Sequence, residues 1–410
     1  MRIRRAVYGS AAALAAAALA TSGCASTAAG SSTSSRDSAF SVLVVLPLSG
    51  AGAAQGNAEL QGAKAAARVL NSHGGILGHK VVLTVDNDQA NPSTAITQIQ
   101  GAISGSSKPD LVIAGASSNE TDAVAPILNR AQVLNIESDS DPKIDSGTKT
   151  PYTFDSTVSI PSVINALVTY VRSQHASKVG FVYANDALGS AVGQYEVGAL
   201  KQAGLKVVSA SYSATAIDDS STLLKIKSQN PGVLVVEGFG PQAGYLFSSR
   251  AKIGWNIPTI GDSAVASSGL ASLVPAADLK NVRIQAFADE LYRPFSQQSP
   301  AMQTFIKAVA ATGPISQPIS EDGFVYDALM LADQAAVQAH SISASAIKGA
   351  LEHLRKASDS RIVSFSDPTY SPASHVIDSP PSDYAFVRAS GITSGFFDVP
   401  AGTAASSITG

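Results

Sequence analysis

Only one cysteine, Cys24, occurs in the 410 residues, so no intrachain disulfide can staple this fold. Charge is scarce as well: Asp, Glu, Lys and Arg make up 14% of the chain, against about 25% in an average globular protein. The formal charge is −3, and no basic run follows the first residues, so a nucleic-acid partner has no electrostatic footprint. Long apolar runs are missing beyond residue 20, where no stretch approaches the roughly 18 consecutive apolar residues of a membrane-crossing helix. Catalytic signatures are absent too. There is no G-x-S-x-G elbow and no P-loop, and His73, His79, His175, His340, His353 and His375 never fall at zinc-ligand spacing. These absences argue against an enzyme and imply neither a cofactor nor a metal. His73 and His79 read as solvated turn residues, and Trp255 as structural packing in a Gly254-Trp-Asn turn.

What is present is a hydrophobic content of 45%, spread as short β-branched runs and alanine-rich stretches. That distribution excludes general disorder and predicts a well-cored globule. The N-terminus stands apart. Arg2, Arg4 and Arg5 precede a short apolar segment from Ala6 to Ala20, and Thr21-Ser22-Gly23-Cys24 puts small residues just before the cysteine. This is an export signal, and it resembles a bacterial lipoprotein lipobox, with Thr21 in place of the usual leucine. The resemblance implies cleavage before Cys24 and a diacylglycerol on its thiol; the simpler alternative is an ordinary signal peptide that leaves a free thiol. Removing residues 1–23 discards three arginines and no acid, which moves the formal charge from −3 to −6. Residues 24–38, rich in Ser, Thr, Ala and Gly, read as a flexible tether.

From Ser41 onward, strand-like and helix-like patterns alternate. Predicted strands cover 41–48, 80–85, 110–114 and 132–136, separated by helices of which the first puts Leu60, Ala63, Ala67 and Leu70 on one stripe. Asn91-Pro92-Ser93 reads as a helix start. After an irregular stretch over 138–159 the series restarts, with strands at 178–183, 206–212, 232–237, 257–260 and 282–287 and helices between them, including a short one at 267–274. Three helices follow, near 299–312, 321–339 and 344–356, with strands near 361–365 and 383–388. Continuous apolar strands in such a series imply parallel sheets covered on both faces. Ligands of such sheets bind outside the carboxyl ends of the strands.

Several blocks then acquire a shared meaning. Val42 to Gly62 (VLVVLPLSGAGAAQGNAELQG), Asn71 to Lys80 (NSHGGILGHK), the strand end at Asp86 and Val112 to Ser118 (VIAGASS) resemble successive blocks of the type I periplasmic binding proteins. Ser138 to Lys143, Tyr183 to Gly189, Gly238 to Gly244 and Phe324 to Asp327 extend the similarity from about residue 41 to 390. The nearest branch is that of the branched-chain amino-acid (Leu/Ile/Val) binding proteins of ABC transporters. The resemblance implies an α/β fold of two doubly wound Rossmann-like lobes joined by crossover strands near residues 157, 287 and 380. The first lobe would comprise 41–157 plus 288–380, and the second 158–287 plus 381–400.

Residue pattern and resemblance together nominate the site. Ser117 and Ser118 sit between an apolar strand and a helix, where hydroxyls and free helix N–H groups suit a carboxylate; a plain N-cap role for Ser118 is the alternative. By resemblance, Ser118 and Ser140 would hold the ligand's α-carboxylate and the Ser138 carbonyl would help to hold its ammonium. The family's acidic anchor falls at Asp262, with Glu237, Asp139 and Asp186 as alternatives. Tyrosines that pack on the ligand in the family correspond here to Gln55 and Leu188, and a third aromatic position falls at Phe239 or Gly240. A smaller or more polar amino acid, or an amide-like compound, is therefore as compatible as leucine. The loop Gly50-Ala-Gly52-Ala-Ala-Gln-Gly56 lacks the regular dinucleotide-binding spacing.

The resulting expectation is a monomeric, lipid-anchored binding protein on the outer face of the cell membrane. It would capture a small zwitterion by hinge closure and deliver it to ABC permease and ATPase subunits. A ligand-sensing lobe for a membrane receptor and, more remotely, an exported hydrolase on the same scaffold are the alternatives.

Overall fold

Runs of buried valine, leucine and isoleucine build two parallel sheets with the same winding. The structure is a computed structural model that describes residues 39–50, 52–105, 107–139, 145–213, 215–238, 240–268, 270–355, 360–389 and 391–410. The first sheet contains β1 (Phe40–Leu46), β2 (Val81–Asn87), β3 (Leu111–Ala114), β4 (Leu134–Glu137) and β5 (Thr153–Asp155) in the order β2-β1-β3-β4-β5. Helices α1 (Ala53–Ser72), α2 (Pro92–Ser104) and α3 (Ser118–Ala131) connect them.

The second sheet contains β6 (Lys178–Ala184), β7 (Lys206–Tyr212), β8 (Val233–Val236), β9 (Thr259–Gly261), β10 (Val282–Phe287) and β11 (Tyr384–Arg388). Its order is β11-β10-β9-β8-β6-β7, parallel except for β11, which runs against β10. Helices α4 (Ile160–Ser173), α5 (Ala187–Gln202), α6 (Ser220–Lys227), α7 (Gly240–Lys252) and α8 (Leu270–Leu273) accompany it. Counted from its own first strand, the first sheet reads 2-1-3-4-5 and the second 2-1-3-4-5-6. That doubly wound order reverses beside the first strand, and the reversal opens a crevice at the carboxyl ends.

Alternation along β1 explains why both faces are covered. Val42, Val44 and Leu46 enter one core, and Leu43 and Val45 enter another on the opposite face. Phe181 and Val182 divide in the same way in β6. At roughly 1.5–3 kcal/mol per fully buried aliphatic side chain, these strands are central to stability. Local signals agree with the packing: Asn91 caps α2 by accepting from the N–H groups of Ser93 and Thr94, with Pro92 opening the helix.

Helices α9 (Pro300–Ala310), α10 (Ile319–Ala339) and α11 (Ala344–Leu351) pack on the first sheet's core. Almost the whole circumference of α10 is buried. The chain leaves the first sheet at 156–159, returns after Phe287 through Ala288–Glu290, and enters the second sheet again between 377 and β11. Two of these segments touch: Val158 and Ile377 form a parallel bridge, and Ser159 Oγ donates to Asp378 Oδ1 at 2.7 Å.

Some elements differ from the sequence reading. Residues 361–365 form no strand, because the N–H groups of Val363 and Ser364 donate to the Asp327 carboxylate at 2.9 and 2.8 Å instead of to a ladder. β5 lies inside the stretch read as irregular, since three residues are too few to show a period. The helix read over 267–274 is a 3₁₀ turn, Ser263–Ser268, followed by α8. His79 is buried rather than solvated, because its backbone pairs with Ile76 in a tight turn; His73 is exposed. Among the described residues, no helix is long and apolar enough to cross a membrane.

Candidate ligand-binding site

At the carboxyl edge of the first sheet, β3 ends in Gly115, whose φ of +99° turns the chain sharply into α3. A side chain there is doubly opposed, since a Cβ would also lie 2.2 Å from Thr121 Oγ1. The turn leaves Ser117 as the N-cap residue and Ser118 as the first residue of α3, both half-buried. The Ser117 side chain makes no cap hydrogen bond to the helix backbone. The capping position is thus taken by Ser117, and Ser118 stands at the helix N-terminus itself.

Next to it, α1 contributes Glu59, which is fully buried. Its Oε1 accepts from Ser138 Oγ at 2.9 Å and from Gln55 Nε2 at 3.0 Å. Burial first, and the neighbouring charge of Glu321 second, push its carboxyl up to about 8. At the end of β4, Glu137 Oε2 accepts from Thr121 Oγ1 at 2.9 Å and from the Asp139 N–H at 3.2 Å. Glu137 stands beside Asp155 in the β4–β5 register, and burial followed by that neighbour raises its pKa well above the usual carboxylate range.

At the corresponding edge of the second sheet, Glu237 follows β8 and Asp262 follows β9. Both are buried. Glu237 Oε2 accepts from the Ala184 N–H at 3.1 Å, and Asp262 Oδ1 accepts from the Val265 N–H at 3.2 Å. Burial raises Glu237 to about 7, and burial with the charge of Glu237 raises Asp262 well above its ordinary value. Neither forms an ion pair among the described residues. Asp186, by contrast, is exposed and caps α5 through the Gly189 N–H at 2.7 Å.

Basic residues gather at the other edge. Arg130, Arg172, Lys201, Lys227 and Lys252 lie in the last turns of α3 to α7, and Lys178 and Lys206 open β6 and β7. Helix dipoles favour this polarity. Its result is that the carboxyl edges of both sheets carry negative side chains without described cations beside them.

Thus Gln55 and Ser138 meet through Glu59, and Glu237 and Asp262 meet at neighbouring strand ends. Among the described residues, no hydrogen bond joins these two groups to each other. Cys24, Ser140 and Phe239 lie outside the described residues, as does the side chain of Leu188. Sequence reasoning missed Glu59 and Glu196. Glu196 is buried on α5, and its charge acts on the same cluster as Asp262 and Glu237. Both acids interrupt apolar stripes, Glu196 between Gly193 and Leu200 and Glu59 between Gly56 and Ala63, and that interruption was the available signal.

Comparison with known proteins adds a frame to this geometry. The family described as periplasmic binding protein matches residues 40–390. A Leu/Ile/Val-binding protein homolog 7 from Brucella abortus is 27% identical over 276 residues, covering 64% of this chain and 68% of the relative. A branched-chain amino acid transporter substrate binding protein from Streptococcus pneumoniae, solved in complex with isoleucine, superposes with a TM-score of 0.65 at 18% identity, covering 85% of this chain and 99% of that one. A fatty acid ABC transporter substrate-binding protein from Thermomonospora curvata gives 0.62 at 17% identity, covering 90% and 96%.

Proposed function

Because the chain belongs to the periplasmic binding protein family and has the type I fold of its structural neighbours, we propose that it is the extracytoplasmic solute-binding component of an ABC importer, capturing an amino acid or similar small zwitterion. It is a binding protein rather than an enzyme. In this reading the two lobes are 41–157 with 288–380 and 158–287 with 381–400, and the crossing segments act as the hinge. A ligand that touches both lobes favours the closed state by its difference in affinity between closed and open forms.

The observation that carries the zwitterion assignment is the buried pair Glu237 and Asp262, held side by side with no cationic partner among the described residues. A buried carboxylate without a cation is costly, and a ligand ammonium supplies that cation. Ser117 and Ser118, at the N-terminus of α3, offer the matching place for the ligand carboxylate. Ser138 and Gln55, held by Glu59, line the same edge, with Ser140, Leu188 and Phe239 as further contacts by family resemblance. The acidic edges disfavour a ligand whose only charge is a carboxylate.

A thermal-shift screen against amino acids, amides, short peptides, sugars and fatty acids tests this. A ligand at about 100 times its Kd adds about 2.7 kcal/mol, a shift of several degrees at about 2–4 °C per kcal/mol. An amino acid or amide is the expected hit; a response confined to fatty acids or sugars overturns the assignment. The lipid anchor is proposed separately: Cys24→Ser should release the protein from membranes, and unchanged membrane fractionation would remove it. Permease and ATPase subunits, rather than a sensory receptor, are the proposed partners, and neighbouring genes for them would support that choice.

A further inference from the structure

Three carboxylates meet where the first sheet gives way to the first crossing segment. Glu137 ends β4 and Asp155 ends β5, paired in parallel register so that their side chains share a face. Asp145 comes from the segment between them. One carboxylate oxygen from each lies within 4.8 Å of the other two.

The state of the oxygens points beyond an accidental crowd. Glu137 and Asp155 are each only 1% exposed. Glu137 Oε2 is used by Thr121 and the Asp139 N–H, and Asp155 Oδ1 by the N–H and hydroxyl of Thr157. Glu137 Oε1 and Asp155 Oδ2 accept nothing. Neither residue forms an ion pair among the described residues. Two buried carboxylates side by side, each with an unused oxygen, form a receptor for positive charge.

We propose that Glu137, Asp145 and Asp155 bind a divalent cation of the calcium type. Oxygen ligands at about 2.3–2.6 Å from calcium are about 4.6–5.2 Å apart across the ion, so oxygens within 4.8 Å of one another reach a single ion. Magnesium, which demands near-ideal octahedral geometry and gives up its waters reluctantly, suits a cage of three protein carboxylates less well. The all-carboxylate donor set excludes a preference for soft metals. Around the site, the Asp155 N–H donates to the His375 carbonyl at 2.8 Å and the His375 N–H to the Asp145 carbonyl at 2.7 Å. The ion therefore fastens β4, β5 and the returning segment around His375 at the root of the crossings. Its function is structural, and it does not depend on which solute the protein carries.

The test uses the full chain, stripped with a chelator and held near pH 7.5. Calcium chloride should raise the melting temperature saturably by several degrees, magnesium chloride should do so less, and calorimetry should count one calcium per chain. Asp155→Asn and Glu137→Gln should each abolish most of the calcium-dependent shift. Both should leave the cation-free protein as stable as the parent or more so, because each removes an uncompensated buried charge. The proposal fails if calcium gives no shift, if potassium chloride at equal ionic strength gives the same one, or if Asp155→Asn responds like the parent.

Discussion

The hydroxyl of Ser138, at the end of β4, donates to Glu59 Oε1 on α1 at 2.9 Å, joining two elements separated by 79 residues of sequence. The same oxygen holds the Gln55 amide, so one buried acid sets two side chains of the proposed binding edge. Glu59→Ala should cost about 2–4 kcal/mol, since it leaves a cavity and two donors without their acceptor. Glu59→Gln keeps an acceptor without the charge and should be close to neutral near pH 6. Urea unfolding checks both, and equal stability of the alanine variant and the parent would refute the role.

Buried acids also set a direction for pH. Burial is the first cause that raises Glu59 and Asp322 to about 8, and Glu237, Glu321 and Asp327 to about 7. Unfolded, these groups would titrate near the ordinary value of about 4. Between that value and the raised ones, the native chain binds more protons than the unfolded chain, so stability is greatest on the acidic side and falls as pH rises. One such shift, fully expressed, is on the order of 4 kcal/mol. The melting temperature should fall by several degrees from about pH 5 to about pH 8.5; a rise over that range would contradict the burial argument.

Close packing of α1 on α10 rests on Gly62. A Cβ at that position would lie 1.9 Å from the Asp322 backbone carbonyl oxygen. Gly62→Ala gains about 1 kcal/mol of helix propensity, but a backbone oxygen cannot swing aside as a flexible side chain would. The overlap should prevail, with a net loss of at least about 1–3 kcal/mol seen in denaturant midpoint. A stabilised variant would show that the helices separate freely.

Much of this architecture is legible in the linear pattern, and the exceptions have physical causes. SVLVVL in β1 and GVLVVE around β8 read as doubly covered strands because their residues are buried on both faces. The α1 stripe and the Asn91-Pro92 start are legible because their signals are local. Residues 361–365 mislead because Asp327, distant in sequence, takes the N–H groups that a strand would use. Ser117, Ser118, Glu237 and Asp262 stand out as polar residues at strand ends. Glu59 and Glu196 do not, because a lone acid in an apolar helix stripe gains meaning only from the buried partners that folding brings to it.

Asp262 separates ligand recognition from stability most cleanly. Its carboxyl is buried, accepts from the Val265 N–H, and is raised by burial and by Glu237. Asp262→Asn keeps an oxygen for Val265 and removes one of two crowded negative charges, so the empty protein should be at least as stable as the parent near pH 8. If a ligand ammonium is held there, the same change removes a charged hydrogen bond worth about 1.5–3 kcal/mol, a loss of roughly tenfold or more in affinity. Ser118→Ala should weaken binding by a smaller factor from the carboxylate side. Calorimetric titration with the best ligand of the thermal screen distinguishes the cases. Weaker binding with unchanged or higher melting temperature places the ammonium at Asp262, whereas unchanged affinity in both variants assigns recognition to other residues.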